Sequence, residues 1–360
     1  MMPSADDAAR EVASALAERN FPRALSIAYG VLHTSIERFI AGDFRAAREG
    51  GLCLKAAAPD FHHATWLVAT AAAALGQTCE AGAAEAVGLA KAPHLAPFFN
   101  HLRVNRGNIR KFIPQIKCEV VADCQYDCPL CAHGDQRQGD LNYQLTLEQL
   151  QTFLTATLDS GYLIGQLAIH GSGEPLLWKH LGPGLVEIKR SGAACWTWIT
   201  SNGLLLHRLA ADDLALIDSM DISLYQGNKK LDAIRSIAAQ NEQKLFIVPM
   251  DDFVDVPKKI TGPAPVPCPC QCSGPMLVGD KVYLYCGPPV FGAGKLMKRA
   301  PETDLSLWSK VAPNYLDRAR DRIGRLEYCR WCWANGHHHQ RARRLSQKTV
   351  GGNWKQSAKL

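Results

Sequence analysis

Apolar residues recur along this chain with two different spacings, and the change from one to the other divides it. The first hundred residues are alanine-rich with helical spacing, and Phe21, Phe44, Trp66 and Leu67 are placed to fill seams between helices. A polar start followed by a helical apolar pattern returns over Thr146 to Ser160. Short strand-like runs follow: Gln166-Leu167-Ala168-Ile169-His170 closes on Gly171-Ser172-Gly173-Glu174-Pro175, and Trp196 to Ile199 stops at Thr200-Ser201-Asn202-Gly203. Asp221-Ile222-Ser223-Leu224-Tyr225 then sets a hydroxyl inside an apolar strand. Strands alternating with helices predict an α/β fold built on a parallel sheet. Further on, two apolar runs between Met276 and Cys286 flank Gly279-Asp280 and read as a tight hairpin, and Tyr315 to Leu326 reads as a helix.

A chain of 360 residues with 47% apolar content buries a large core and suits about two or three domains. Its longest apolar stretch, Ala64 to Gly76, is too short and alanine-rich to cross a bilayer, so no membrane partner is expected. Charge is uneven. Residues 291–360 hold fifteen Lys plus Arg against five Asp plus Glu, leaving the remainder slightly acidic under a net charge of +6. The focus is His337-His338-His339-Gln340-Arg341-Ala342-Arg343-Arg344. An anionic substrate would suit such a run, but no aromatic residues interleave with it to stack bases. It reads as a solvated basic tail, and nucleic acid is not the expected partner.

The thirteen cysteines carry the chemistry. With no secretory signal in view they imply a reducing, cytoplasmic setting in which thiolates are kept for metal. Cys124, Cys128 and Cys131, in Cys124-Gln125-Tyr126-Asp127-Cys128-Pro129-Leu130-Cys131, can hold three corners of a cubane iron–sulfur cluster and leave the fourth iron open to a small molecule. Zinc is the rival, with His133 in reach as a fourth ligand.

That C-x3-C-x2-C spacing, with the ordered strand ends after it, resembles the radical S-adenosylmethionine enzymes. The resemblance implies a partial (β/α)6 TIM-type barrel. It also implies a 4Fe-4S cluster whose open iron chelates S-adenosyl-L-methionine, and a reducing partner such as flavodoxin or ferredoxin. Carried onto this sequence, Tyr126 and Leu130 flank the adenosyl group, and Gly171, Ser172, Gly173 and Glu174 form the turn that receives the methionyl amino group. Thr200, Ser201 and Asn202 meet the ribose, and Ser223 meets the carboxylate.

Six cysteines lie late, at Cys268, Cys270, Cys272, Cys286, Cys329 and Cys332. With the hairpin before Cys286 they resemble the shortened "twitch" form of the SPASM extension, which implies a second, auxiliary 4Fe-4S cluster on Cys286, Cys329 and Cys332 plus one of Cys268, Cys270 or Cys272. The spacing does not select among those three, and a structural zinc ribbon fits the same pairs. At the other end, Gly42-Asp43-Phe44-Arg45-Ala46-Ala47 is echoed by Gly76-Gln77-Thr78-Cys79-Glu80-Ala81, and Ala58-Pro59 by Ala92-Pro93, both after 34 residues. This period resembles tetratricopeptide repeats and implies a helical domain for partners, a cap over the barrel or a homodimer. The expected division is 1–108 helical and repeat-like, 109–258 barrel, 259–340 small α+β auxiliary-cluster domain and 341–360 basic tail.

The expected activity is a radical-based two-electron oxidation of a small polar or carbohydrate-like substrate, with the second cluster taking the electron. A radical epimerase is an alternative, with Cys195, Cys118 or an unused late cysteine returning a hydrogen atom, and so is an enzyme maturing a ribosomally made peptide; Tyr225 joins Cys195 and Cys118 as a candidate catalytic residue. A non-catalytic iron–sulfur or zinc scaffold is the reading from another class. Glu119, Asp123 and His170 also stand near predicted strand ends, as candidates for structural roles. The two-cluster assignment predicts about eight irons per chain after anaerobic reconstitution. Substantial zinc beside a single cluster contradicts it.

Overall fold

The computed structural model describes residues 5–126, 143–171, 173–225, 230–250, 252–254, 275–283, 308–317 and 344–346. They fall into two compact units, Met1–Phe112 with Gly161–Gly165 and Val186–Cys195, and Ile113–Ser160 with Gln166–Leu185 and Trp196–Leu360. The first unit is helical: α1 Ala5–Ala17, α2 Phe21–Ile40, α3 Phe44–Ala57, α4 His62–Ala74, α5 Thr78–Lys91 and α6 Ala96–Asn105. The 34-residue echo marks equivalent points of two helical hairpins. Gly42 and Gly76 both take positive φ, 92° and 74°, and stop α2 and α4 where a side chain would be strained. Ala58 and Ala92 then leave α3 and α5 in similar extended conformations just before Pro59 and Pro93. Asn20 and Asp43 cap α2 and α3, accepting the main-chain N–H groups of Arg23 and Ala46.

The second unit is built on a sheet with the order β5-β4-β3-β2-β1-β7-β8-β9. Its strands are β1 Lys111–Glu119, β2 Tyr162–Ile169, β3 Ala194–Ser201, β4 Ser219–Tyr225, β5 Leu245–Met250, β7 Met276–Val278, β8 Lys281–Tyr283 and β9 Trp308–Lys310. Helices α7 Leu147–Asp159, α8 Leu181–Ser191, α9 Ala211–Leu216 and α10 Leu231–Gln240 connect β1 to β5 in turn. β3, β4 and β5 pair in parallel. β1 and β2 also share a direction, since Arg110 N–H reaches Gly161 O before both strands while His170 N–H reaches Cys118 O at their far ends. The fold is therefore α/β with a mainly parallel sheet. The strand expected to follow β5 in a (β/α)6 order does not extend the sheet among the described residues. The next strand, β6 Asp252–Val254, pairs antiparallel with β10 Arg344–Ser346. The further parallel strand is instead β7, laid along β1 through Lys117↔Met276 to Glu119↔Val278. It turns at Gly279 into the antiparallel strands β8 and β9, so the hairpin read around Gly279-Asp280 is present. Tyr143 ties it down: its hydroxyl donates to Glu119 O at 3.1 Å and accepts Gly279 N–H at 2.7 Å.

Packing in the helical unit centres on α4, buried without a break from His63 to Ala72. No described helix is long and apolar enough to cross a membrane. Trp66 is almost fully enclosed: its indole N–H donates to Ala92 O at 3.0 Å, and its ring stacks on Phe99 at 6.3 Å between centroids. Its other neighbour is Gly88, where an added Cβ would lie 2.7 Å from the indole. A side chain there must displace the largest ring of this core. Gly88→Val is therefore expected to destabilise the helical unit by about 1–3 kcal/mol, measured as a lowered urea midpoint, with little change for Gly82→Ala, whose surroundings are open.

Candidate functional site

The ends of β1, β2 and β3 are joined through one buried carboxylate. Beyond β1 the chain runs through Val121, Ala122 and Asp123 to Cys124, and the turn after β2 lies directly against this segment. An added Cβ on Gly173 would sit 2.3 Å from Asp123 O and 2.4 Å from Val121 O, so only glycine allows the two backbones to touch. The next residue fastens them: Glu174 N–H donates to Asp123 O at 2.8 Å. Glu174 is 2% exposed. Its Oε1 accepts the Ser201 hydroxyl at 2.7 Å and Leu176 N–H at 3.1 Å, and its Oε2 accepts Asn202 N–H at 2.7 Å. Burial pushes its carboxyl above the ordinary range while these three donors pull it back.

Asn202 carries the linkage on to the first cysteine. Its Nδ2 lies 3.7 Å from Cys124 Sγ and 3.1 Å from Gln125 Oε1, and its Oδ1 accepts Leu204 N–H at 2.9 Å. Tyr126 N–H also points at Cys124 Sγ, at 3.4 Å, and the Asp123 carboxylate accepts Cys124 N–H at 3.0 Å. Donors converging on one sulfur suit a thiolate better than a thiol. Gln125 is 1% exposed, and its Nε2 has no hydrogen-bond partner. A buried donor left open beside a sulfur that receives N–H groups fits a bound group rich in sulfur acceptors such as an iron–sulfur cluster.

The structure thus gathers Cys124, Tyr126, Gly171, Gly173, Glu174, Ser201 and Asn202 at one end of the sheet. It also shows what some of them do there: the Ser201 hydroxyl is engaged by Glu174, and the Asn202 amide faces sulfur. Thr200 and Ser201 point to opposite faces of β3, as strand neighbours must. Thr200 lies beside Asp221 in register, so Trp198, Thr200, Asp221 and Ser223 share a face. That face is polar: the Trp198 indole bonds to Asp221, whose carboxyl is raised by burial and lowered by that bond, and the His170 and Trp198 rings meet edge to face at 5.9 Å. The Gln115 and Gln166 amides bond to each other on adjoining strands. Tyr225 ends β4 opposite Met250.

The two proposed thiols are both buried, one near the site end of β1 and the other at the opposite end of β3. Cys118 is buried one residue before the end of β1, its thiol pushed up by burial and then by the Glu119 charge, which disfavours the thiolate. Cys195 is buried at the start of β3, its carbonyl near His63 Nε2 at 3.2 Å, and lies six residues before Ser201, roughly 20 Å along the strand. Cys128, Leu130, Cys131, Ser172, Cys268, Cys270, Cys272, Cys286, Cys329 and Cys332 lie outside the described residues. Among the described residues no group of three or more His, Cys, Asp or Glu is disposed to hold a metal. Gln125 is the functional candidate that sequence reading passed over. A glutamine between cysteines looks like a loop residue, and only its burial marks it out.

No protein-family model matches the chain, and no curated protein matches it in sequence. Among solved structures it is similar to BtrN in complex with AdoMet and 2-DOIA, at 20% identity and a TM-score of 0.30, covering 39% of this chain and 57% of that one. It is also similar to selenomethionine BtrN in an open conformation, at 21% identity, a TM-score of 0.28 and the same coverage. The chain thus spans little more than half the length of the structures it matches.

Glu174→Gln keeps the shape but turns an NH2 group toward the Asn202 N–H, and it is expected to cost about 1–3 kcal/mol at neutral pH. Because burial raises the folded-state pKa of Glu174, its contribution to stability is greatest below the unfolded value and is lost as pH rises through the folded one. The stability of the wild type relative to Glu174→Gln therefore grows as pH falls from neutral, read from urea midpoints across a pH series. A difference independent of pH contradicts an ionisable group at this junction.

Proposed function

We propose that this chain is a radical S-adenosylmethionine enzyme acting on a small polar or carbohydrate-like substrate. The observation that carries it is the link from the ends of β1, β2 and β3, through Glu174 and Asn202, to a cysteine sulfur that already receives two N–H donors. Cys124, Cys128 and Cys131 would hold the cluster. When bound, the cluster and S-adenosyl-L-methionine supply a 5′-deoxyadenosyl radical that takes hydrogen from substrate. The protein's part is to bind, orient and shield. Gly171 and Gly173 let the turn after β2 pack against the end of β1 and the segment beyond it, the Glu174 junction fixes the strand ends, and the buried Leu204, Leu205 and Ile222 keep the neighbouring interior apolar. The face bearing Trp198, Thr200, Asp221 and Ser223 offers hydroxyl, carboxylate and aromatic contacts to a polar ligand.

Two-electron oxidation is the chemistry we assign, with the late cysteines holding a second cluster that takes the electron. Cys195 is buried at the far end of β3, and the Cys118 thiol is buried and pushed up, a setting that suits oxidation better than hydrogen return from a thiol. The strands β1 to β5 would curve as a partial barrel, the repeat-like helices would serve as a cap or a dimer surface, and a flavodoxin or ferredoxin would deliver electrons in the cytoplasm. The test is to reduce the reconstituted full chain with S-adenosyl-L-methionine. 5′-Deoxyadenosine is expected from the wild type, with loss of at least a hundredfold in Cys128→Ala. No 5′-deoxyadenosine from an iron-loaded wild type, or equal amounts from Cys128→Ala, overturns the assignment.

A further inference from the structure

The amide orientations around Cys124 follow from the hydrogen-bond chain alone. Leu204 N–H can only donate, so the Asn202 atom 2.9 Å from it is oxygen. Nδ2 is then the atom that faces Cys124 Sγ at 3.7 Å and Gln125 at 3.1 Å. Gln125 must present its oxygen to that NH2 group. Its own Nε2 is left buried, at 1% residue exposure, without a partner. Leaving such a donor buried and open is unfavourable unless an acceptor arrives.

From this geometry we propose that Asn202 and Gln125 form an amide clamp on the sulfur of the cluster site. Asn202 donates N–H···S to the Cys124 thiolate, Gln125 donates from Nε2 to a sulfide of the bound cluster, and together they raise its reduction potential. The inference rests on the function proposed above and assigns the Asn202 side chain to sulfur, not to the nucleoside. The physical basis is simple. One-electron reduction adds a negative charge spread over iron and sulfur, and N–H donors stabilise the reduced form more than the oxidised one. The electron comes from the external reductant, and no bond of the clamp breaks. Both amides are positioning residues. Their precision comes from Glu174, which holds the Asn202 main chain, and from Leu204, which fixes its carbonyl oxygen.

The test is a redox titration, followed by electron paramagnetic resonance, of the reconstituted full chain without S-adenosyl-L-methionine; the signal abolished by Cys128→Ala identifies the cluster. Asn202→Asp keeps the acceptor for Leu204 and removes the donor. It is expected to weaken the one-electron reduction equilibrium at least tenfold, lowering the midpoint by about 59 mV or more. Gln125→Leu is expected to lower it in the same direction. Full iron loading with unchanged midpoints in both variants overturns the clamp and leaves the proposed function standing, whereas no such cluster in the wild type overturns both. If the variants fail to hold a cluster, wild-type protein labelled with 15N only at asparagine decides. A weak 15N coupling to the reduced cluster in pulsed resonance supports the clamp, and its absence overturns it.

Discussion

The Glu174 carboxylate, 2% exposed, is the contact on which the strand-end site depends. A carboxylate leaves water at a cost of several kcal/mol unless donors replace its hydration, and here Ser201, Leu176 and Asn202 provide them. The Glu174 main-chain N–H simultaneously binds Asp123 O. One residue therefore determines the relative placement of the segment entering the cysteines, the turn after β2 and the end of β3. Replacing or shortening it loosens three elements together, because its partners lie at the ends of three strands: Asp123 beyond β1, Leu176 beyond β2, and Ser201 and Asn202 at the end of β3.

From that junction the structure separates two tasks. The buried side runs through Asn202 and Gln125 to Cys124 and is suited to holding a sulfur-rich group in a dry, hydrogen-bonded setting. The other face of the same strands carries Trp198, Thr200, Asp221 and Ser223, polar groups in an α/β sheet that elsewhere buries Ile199, Met220 and Ile222. Adjacent residues in β3 serve opposite faces, so a single strand end contributes to both. This division suits a reaction in which one region produces a reactive species and another presents the substrate to it.

Much of this was legible in the sequence, for identifiable reasons. Strand ends at Ile169, Ser201 and Tyr225 follow from apolar runs that stop at glycine or polar clusters, and the β7–β8 hairpin follows from Gly279-Asp280 between apolar segments. Local signals decide such features. Long-range pairing is not local: β7 lying parallel to β1, and β6 pairing with β10, depend on which edge of the sheet is open, a property no window of residues carries. The same holds within the site. Cys124, Gly173, Glu174 and Asn202 are recognisable by type and order, but the Ser201 hydroxyl turning to Glu174 and the Gln125 amide being buried depend on the packing of three segments at once.

In the function proposed above, Cys124, Cys128 and Cys131 hold a four-iron cluster with one iron open to S-adenosyl-L-methionine. Mössbauer spectroscopy of the 57Fe-reconstituted chain tests this most directly, compared with and without S-adenosyl-L-methionine. One iron of the cluster lost in Cys128→Ala is expected to change its isomer shift and quadrupole splitting on addition, while its other three do not. Spectra unchanged by S-adenosyl-L-methionine in a fully iron-loaded protein would contradict it.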